Sequence, residues 1–175
     1  GSSRVLKAMN RHYDRETYLE KVMYAKSVMP DLVLTSDVIV GFPTETKEDF
    51  EETLKFLQGI GCNVIQISAI GPIDPVVVGE LVKKYNMEVC VTHKPYDRMK
   101  NDLDALIKEH DLINCKNIGI GAMPFNLHDS YEAVWGFINK CNEIGSKLHE
   151  NGKQLCYHNH AFEFTKIDGK YIMDY

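Results

Sequence analysis

The sequence has no uninterrupted apolar run of the roughly 20 residues that a helix needs to cross a membrane. Basic residues are not in excess, since 20 Lys and Arg stand against 25 Asp and Glu and give a formal net charge of -5. No sequence-wide positive field therefore favours nucleic acid or an anionic membrane as a partner. No linker, low-complexity run or shift in composition divides the chain, so we expect one domain over residues 1–175.

The cysteines are few, and their spacing matches no known paired motif. The 5 cysteines are Cys62, Cys90, Cys115, Cys141 and Cys156, and no two have C-x-x-C spacing. An odd number without that spacing argues against disulfides and a thiolate metal cluster. Reduced thiols that pack as small apolar groups are typical of the cytosol. We therefore expect a cytoplasmic protein.

The periodicity of apolar residues changes repeatedly between the helical and the strand type. Helices are predicted over Ser3–Met9, from Asp14 to Pro30, from Thr46 to Gly59, from Asp74, after Pro95, and from Ser130 to Asn151. Strands are predicted over Leu32–Gly41, Asn63–Ile70, Met87–Thr92, Asn117–Met123 and Gln154–His160. Turns are predicted at Gly71-Pro72 and Asp168-Gly169, and a capping box at Thr46–Asp49.

This alternation predicts an α/β fold with a parallel sheet of about five strands and flanking helices. One architecture that fits is a partial (βα) TIM-barrel-like sheet, because a full barrel needs roughly 250 residues. The alternative is a flavodoxin-like doubly wound sheet. Both leave open edge strands, so we expect a homo-oligomer that forms through the sheet edges.

Chemistry-bearing residues concentrate at the end of the last predicted strand. Alternation places His158 and His160 on one side of that strand, and Glu163 follows closely. His93 ends another strand, and the ends of parallel strands meet on one face. Such residues bind metals and transfer protons. The candidate metal ligands are thus His158, His160 and Glu163, for weakly bound Mn²⁺, Mg²⁺ or Zn²⁺, and His93 is a further catalytic candidate.

The remaining histidines have a simpler interpretation. His12, His110, His128 and His149 fit surface or helix-end positions. The candidate site residues can also be interpreted without a function. His93 would then hydrogen-bond a loop backbone, and His158 and His160 would lie at the sheet edge without a working partner.

The first third of the chain carries a specific set of motifs: Gly1–Arg11, Tyr18-Leu19, Asp37–Thr46 and Asp49-Phe50. Residues 1–57 resemble the catalytic barrel of radical SAM tRNA methylthiotransferases. That family holds an iron–sulfur cluster with a C-x-x-x-C-x-x-C motif, which this sequence lacks, so we expect neither an iron–sulfur cluster nor redox catalysis.

The same resemblance places three residues of this chain, Asp37, Gly41 and Phe42, near the SAM nucleoside. It therefore implies a weak remnant of a nucleoside groove. The alternative is a buried strand with a Gly-Phe-Pro exit.

From about residue 61 to 175 another set of motifs follows: Gln66–Ser68, Gly71–Pro75, Thr92–Met99, Gly119–Pro124 and Tyr157–Phe164. This part resembles sugar phosphate isomerases/epimerases of the xylose-isomerase-like barrel superfamily. The resemblance implies a divalent metal at the carboxyl rim that polarises a carbonyl, and a carboxylate that moves a proton. A complete site of that type needs ligands from later strands, which this sequence does not include.

The two resemblances meet near residues 57–61, at the end of a predicted helix. The simplest interpretation is one α/β domain built from two fragments, an engineered chimeric scaffold with no native catalytic function and no cofactor. Two alternatives remain open. One is a metal-dependent sugar phosphate isomerase or epimerase that uses His158, His160, Glu163 and His93. The other is a module that binds sugar, phosphate or metal without turnover.

Overall fold

The structure, a computed structural model, describes residues 1–71 and 74–175. Two compact units are present: unit 1 comprises Gly1–Cys90 with Leu112–Asn114, and unit 2 comprises Val91–Asp111 with Cys115–Tyr175. The chain passes from unit 1 to unit 2 between residues 90 and 91, and the seam predicted near residues 57–61 stays a prediction. No helix in the described ranges is both long and apolar enough to cross a membrane.

Helices and strands alternate along the chain. The first elements are α1 (Ser3–Ala8), α2 (Arg15–Val28), β1 (Thr35–Val40), α3 (Lys47–Gly59), β2 (Val64–Ile70), α4 (Pro75–Lys84) and β3 (Glu88–Lys94). They are followed by α5 (Tyr96–Asn101), α6 (Leu103–Leu112), β4 (Asn117–Ile120), α7 (Tyr131–Glu150), β5 (Gln154–Tyr157), β6 (Lys166–Ile167) and β7 (Lys170–Tyr171). Short 3₁₀ turns cover Phe125–Leu127, Ala161–Phe164 and Ile172–Asp174.

Five parallel strands form one sheet in the order β1-β2-β3-β4-β5, which is also their order in the sequence. A flavodoxin-like sheet reverses direction after its first crossover and has the order 2-1-3-4-5. The observed order is therefore that of a (βα) barrel, and the partial-barrel prediction is confirmed. The described strands do not close into a barrel, so β1 and β5 are edge strands.

Helix α3 of unit 1 has well-formed ends. The Thr46 side chain accepts a hydrogen bond from the Asp49 backbone N–H at 3.2 Å, and Asp49 accepts one from the Thr46 N–H at 3.0 Å, so the predicted capping box is confirmed. At the other end, the Cys62 N–H donates to the Leu57 carbonyl at 2.9 Å, and Gly61 has φ +76°. The predicted seam therefore forms an ordinary helix end, which favours glycine at the left-handed position.

Strands β1 and β2 of unit 1 pair in parallel on either side of the predicted seam, with a register irregularity between Val38 and Ile39. Just beyond them the backbones touch, because the Gly71 N–H donates to the Val40 carbonyl at 2.6 Å. A Cβ atom on Gly71 would lie 2.0 Å from the Gly41 carbonyl oxygen. The two backbones can approach this closely only if residue 71 is glycine.

The cores of both units are apolar. In unit 1 the buried side chains include Val38, Val40, Phe50, Leu54, Leu57, Ile65, Ile67, Val78, Leu81 and Val89. In unit 2 the buried cluster includes Met99, Leu103, Leu106, Ile118, Ile120, Val134, Phe137, Ile144 and Leu148. The helical residues recur every three or four positions, so one stripe of each helix faces its core.

The differences from the predicted elements include one helix and two strands. The helix predicted after Pro95 is two helices, separated at Asp102, where φ is -143°. Strand β4 ends at Ile120 and β5 at Tyr157, so both are shorter than predicted, and His158 and His160 follow the strand. The predicted turn at Gly71-Pro72 includes Pro72, which lies outside the described residues.

Candidate functional site

Two predicted site histidines of unit 2 meet across β4. His93 on β3 pairs in register with Gly119 on β4, which in turn pairs with Cys156 on β5. A Cβ atom on Gly119 would lie 3.0 Å from Cδ2 of His93. Because glycine leaves this space free, the rings of His93 and His158 approach to 5.1 Å between centroids. The structure thus brings these two residues together.

The row of rings continues beyond His158. The His158 and His160 rings stack with centroids 4.7 Å apart, and His160 and Phe162 stack at 5.8 Å with planes 8° apart. Phe162 stacks on His128 at 3.7 Å. We call His93, His158, His160, Phe162 and His128 the ring row. Sequence reasoning missed His128, which lies far from the others along the chain.

Glu163 has other partners. It is 1% exposed, and it accepts a hydrogen bond from the Tyr157 hydroxyl at Oε1 and one from the His160 N–H at Oε2, the latter at 2.6 Å. The Tyr157 hydroxyl also accepts from the Met123 N–H at 3.1 Å. Burial first, and then the bond to Glu163, raise the pKa of Tyr157. The carboxylate therefore fastens the 3₁₀ turn Ala161–Phe164 to β5.

The predicted metal ligands are three residues of this region. In the described part of the chain, no three His, Cys, Asp or Glu side chains are grouped so that they could hold a metal ion. Metal binding by His158, His160 and Glu163 stays a prediction, and in the structure the two histidine rings stack while the Glu163 carboxylate accepts hydrogen bonds from Tyr157 and from the His160 N–H. The reason is the early end of β5, which lets the chain turn and bury Glu163.

His110 lies in the last turn of α6, which agrees with the predicted helix-end position, but it is not a surface residue because it is 0% exposed. Its Nδ1 lies 2.6 Å from the Leu106 carbonyl oxygen, which only accepts, so Nδ1 carries the proton. Nε2 then accepts from the Thr92 hydroxyl at 2.6 Å. Burial lowers the pKa of His110 to about 4. Nothing in the local sequence separates such a core histidine from an exposed one.

The other two histidines behave as predicted: His12 and His149 are exposed. His128 is half-buried, and its Nε2 donates to the Met123 carbonyl at 3.0 Å. That bond fixes the ring orientation in the ring row. None of the five cysteines, all of which lie in the described ranges, forms a disulfide.

The three residues predicted for a nucleoside groove, all in unit 1, do not share one location. Asp37 lines a cavity of about 120 Å³ together with Arg11 and Glu45. Gly41 and Phe42 instead donate their N–H groups to Oε2 of Glu45, at 2.6 and 3.3 Å. Burial raises the pKa of Glu45, and these two hydrogen bonds oppose the rise. Both amides are therefore engaged within the loop, and only Asp37 of the three faces the cavity.

Comparison with known proteins gives a family match over the first third of the chain and longer matches to individual proteins. Residues 1–57 match the family described as the Radical SAM superfamily. A tRNA-2-methylthio-N(6)-dimethylallyladenosine synthase from Clostridium perfringens (strain SM101) is 44% identical over 114 residues, which cover 65% of this chain and 21% of that protein. The enzyme of that name from Clostridium botulinum (strain Langeland) is 55% identical over 60 residues, 34% of this chain and 13% of its own length. The chain thus spans about a fifth or less of these relatives.

Two solved structures with other names share the fold of this chain. A sugar phosphate isomerase/epimerase from Parabacteroides distasonis superimposes with a TM-score of 0.63 at 15% identity, over 83% of this chain and 61% of that one. A family 2 AP endonuclease from Brucella melitensis gives a TM-score of 0.55 at 13% identity, over 72% of this chain and 55% of that one. At such identities the likeness concerns the fold. The chain therefore combines a segment similar to the Radical SAM superfamily with a fold like that of these two solved structures.

Proposed function

We propose that this chain is an engineered chimera of two barrel fragments and serves as an α/β scaffold with no native catalytic function. The family match over residues 1–57 supports this proposal, as does the likeness of the fold to a sugar phosphate isomerase/epimerase, and the sequence similarity to the tRNA-modifying relatives continues past residue 57. Within unit 1 the two sequence segments fit closely, since β1 pairs with β2 and Gly71 contacts Gly41. Fragments of different barrels share this geometry because strand spacing and crossover handedness are common to all of them.

The observation that carries the absence of catalysis is the hydrogen bonding of Glu163. An isomerase of this kind needs a carboxylate to hold the metal or to move the proton. Both oxygens of Glu163 accept hydrogen bonds within the chain, and the side chain is buried. The histidines of the ring row therefore lack a carboxylate that is free to act with them at the rim.

Calorimetric titration of the metal-stripped protein with Mn²⁺ tests this proposal. We expect no saturable binding heat and no isomerase turnover of sugar phosphates. A dissociation constant of about 1 μM or lower would contradict it, provided that a His158→Ala/His160→Ala double variant abolishes the binding. That outcome would favour the metal-dependent isomerase or epimerase.

A second candidate function is a module that binds metal, phosphate or sugar without turnover. The stacked pair of His158 and His160 supports it, because both residues are exposed and their rings lie 4.7 Å apart. Two imidazoles bind Zn²⁺ or phosphate weakly without further ligands. A rise in melting temperature with Zn²⁺, phosphate or a sugar phosphate, without turnover and absent in His158→Ala, would identify this function.

We also propose that the protein is cytoplasmic and self-associates. Five cysteines without a disulfide in the described ranges support a reducing compartment. The edge strands β1 and β5 present unpaired backbone groups that a second copy can cover. Light scattering coupled to size-exclusion chromatography should give a mass of at least two chains, and a concentration-independent monomer would contradict the expectation.

A further inference from the structure

Unit 2 contains a cavity of about 230 Å³ between α7, β5 and the 3₁₀ turn Ile172–Asp174. Its walls are mostly apolar and include Ile120, Phe137, Ile138, Leu155 and Ile172. An apolar cavity of about 150 Å³ is large enough to admit benzene. The cavity therefore has room for one aromatic ring or a short alkyl chain.

One carboxyl group lines this mostly apolar cavity, that of the buried Glu163. Its two hydrogen-bond donors, the Tyr157 hydroxyl and the His160 N–H, are both neutral. Over the described ranges, Glu163 has no ion pair with Lys, Arg or His. A buried carboxylate is costly unless a cation accompanies it. It also has about four lone-pair positions, of which two are used here.

We infer that this cavity binds a small organic ammonium ion, with its apolar body between Phe137 and Leu155 and its ammonium group hydrogen-bonded to Glu163. Charge complementarity selects the ligand class, because the cavity offers apolar walls and one carboxylate. Tyr157 positions that carboxylate through its hydroxyl.

None of the ring-row residues lines this cavity, although the His160 N–H donates to Glu163. Tyr157 is the last residue of β5 and His158 follows it, and their rings have different neighbours. The Tyr157 ring lies 5.9 Å from Phe137 on α7, whereas the His158 ring lies 5.1 Å from His93 on β3. The inference therefore goes beyond the proposed function and does not depend on it.

Calorimetry of the full chain with benzylamine and with benzyl alcohol tests the inference without any variant. The two probes have similar size and shape, and only the amine carries a positive charge at neutral pH. We expect benzylamine to bind with 1:1 stoichiometry, at roughly millimolar affinity or better, and at least about tenfold more tightly than the alcohol. Equal affinities, or no binding of the amine, would overturn the inference.

Two variants locate the site. Glu163→Gln removes the charge and should weaken benzylamine binding about tenfold or more, whereas Glu150→Gln makes the same charge change at an exposed position of α7 and should have no effect. Cys141→Phe places a ring in the cavity from a half-buried position and should abolish binding. If Glu163→Gln does not fold, Cys141→Phe decides, and wild-type affinity in that variant would overturn the inference.

Discussion

Nε2 of His110 lies 2.6 Å from Oγ1 of Thr92, and both side chains are fully buried. The bond joins α6 to β3 in unit 2, and Nδ1 of the same ring donates to the Leu106 carbonyl one turn earlier in α6. The imidazole is neutral in this arrangement, with one nitrogen as donor and the other as acceptor. Protonation would place a second N–H against a hydroxyl in the core.

The first prediction concerns acid stability. The folded-state pKa of His110 is about 4, below the ordinary 6.5, so protonation favours the unfolded chain. Its contribution is complete above about pH 6.5 and is lost as the pH falls from there towards 4. The free energy of unfolding should fall over this window by an amount on the order of 3 kcal/mol. Urea titrations at several pH values measure this change.

The control for this prediction is His110→Leu. Lys94, Glu109 and Lys153 also act on the charge of His110 and remain in the variant. The variant should be less stable at neutral pH, because Thr92 and Leu106 lose their partner, but its stability should vary much less between about pH 6.5 and 4.5. An unchanged slope would show that other groups cause the acid sensitivity.

The second prediction compares two substitutions of Thr92. Thr92→Val keeps the shape of the side chain but leaves Nε2 of His110 without a donor, and it should destabilise the protein by about 1–3 kcal/mol. Thr92→Ser keeps the hydroxyl and loses one methyl group, so it should cost about 1 kcal/mol. Denaturant unfolding measures both. A Ser variant less stable than the Val variant would contradict the assigned hydrogen bond.

The third prediction tests the fit of the two sequence segments in unit 1. Gly71→Ala would bring Cβ to 2.0 Å from the Gly41 carbonyl oxygen, so the backbones must separate, and the variant should lose several kcal/mol, roughly 2–4. Gly136→Ala is the matched control, because no atom lies within 4 Å of its added Cβ and helix α7 should gain about 0.5–1 kcal/mol. Thermal unfolding of the two variants should therefore shift in opposite directions.

The fourth prediction concerns the space beneath the ring row. Gly119→Ala would place Cβ 2.8 Å from the Thr92 carbonyl oxygen and 3.0 Å from the His93 ring, so His93 should move away from His158 at a cost of about 1–3 kcal/mol. Gly121→Ala puts Cβ 3.6 Å from the same ring, an ordinary contact, and should leave it in place. Imidazole NMR shifts and inter-ring contacts report the result. Equal effects of both substitutions would contradict this role of Gly119.

Much of the fold follows from patterns within a few residues. The Ser130 cap of α7, the capping box of α3 and the Asp168-Gly169 turn, with φ of +52° and +83°, are confirmed where they were predicted. Each depends on the backbone preference of one residue and on a partner no more than four positions away. The change between helical and strand periodicity likewise indicated a parallel α/β sheet.

The candidate site depended on contacts between residues that are far apart in the sequence. His93 and His158 were both predicted, but their contact requires Gly119 on the strand between them. Glu163 was predicted at the rim beside His160 and instead pairs with Tyr157, because β5 ends three residues earlier than its apolar pattern indicates. Sequence periodicity does not report where a strand stops pairing with its neighbour.

Local sequence was therefore sufficient for the type and order of the elements, since hydrogen bonds within helices and turns involve near neighbours. The partners of each buried polar group were set by packing among β3, β4, β5, α6 and α7 in unit 2. His110 shows this most directly. The residues next to it in the sequence are charged, which is typical of an exposed position. Its ring is nevertheless buried, because Thr92 on another element provides a hydrogen bond there. A buried polar side chain must find such a partner, and only the folded chain brings the two together.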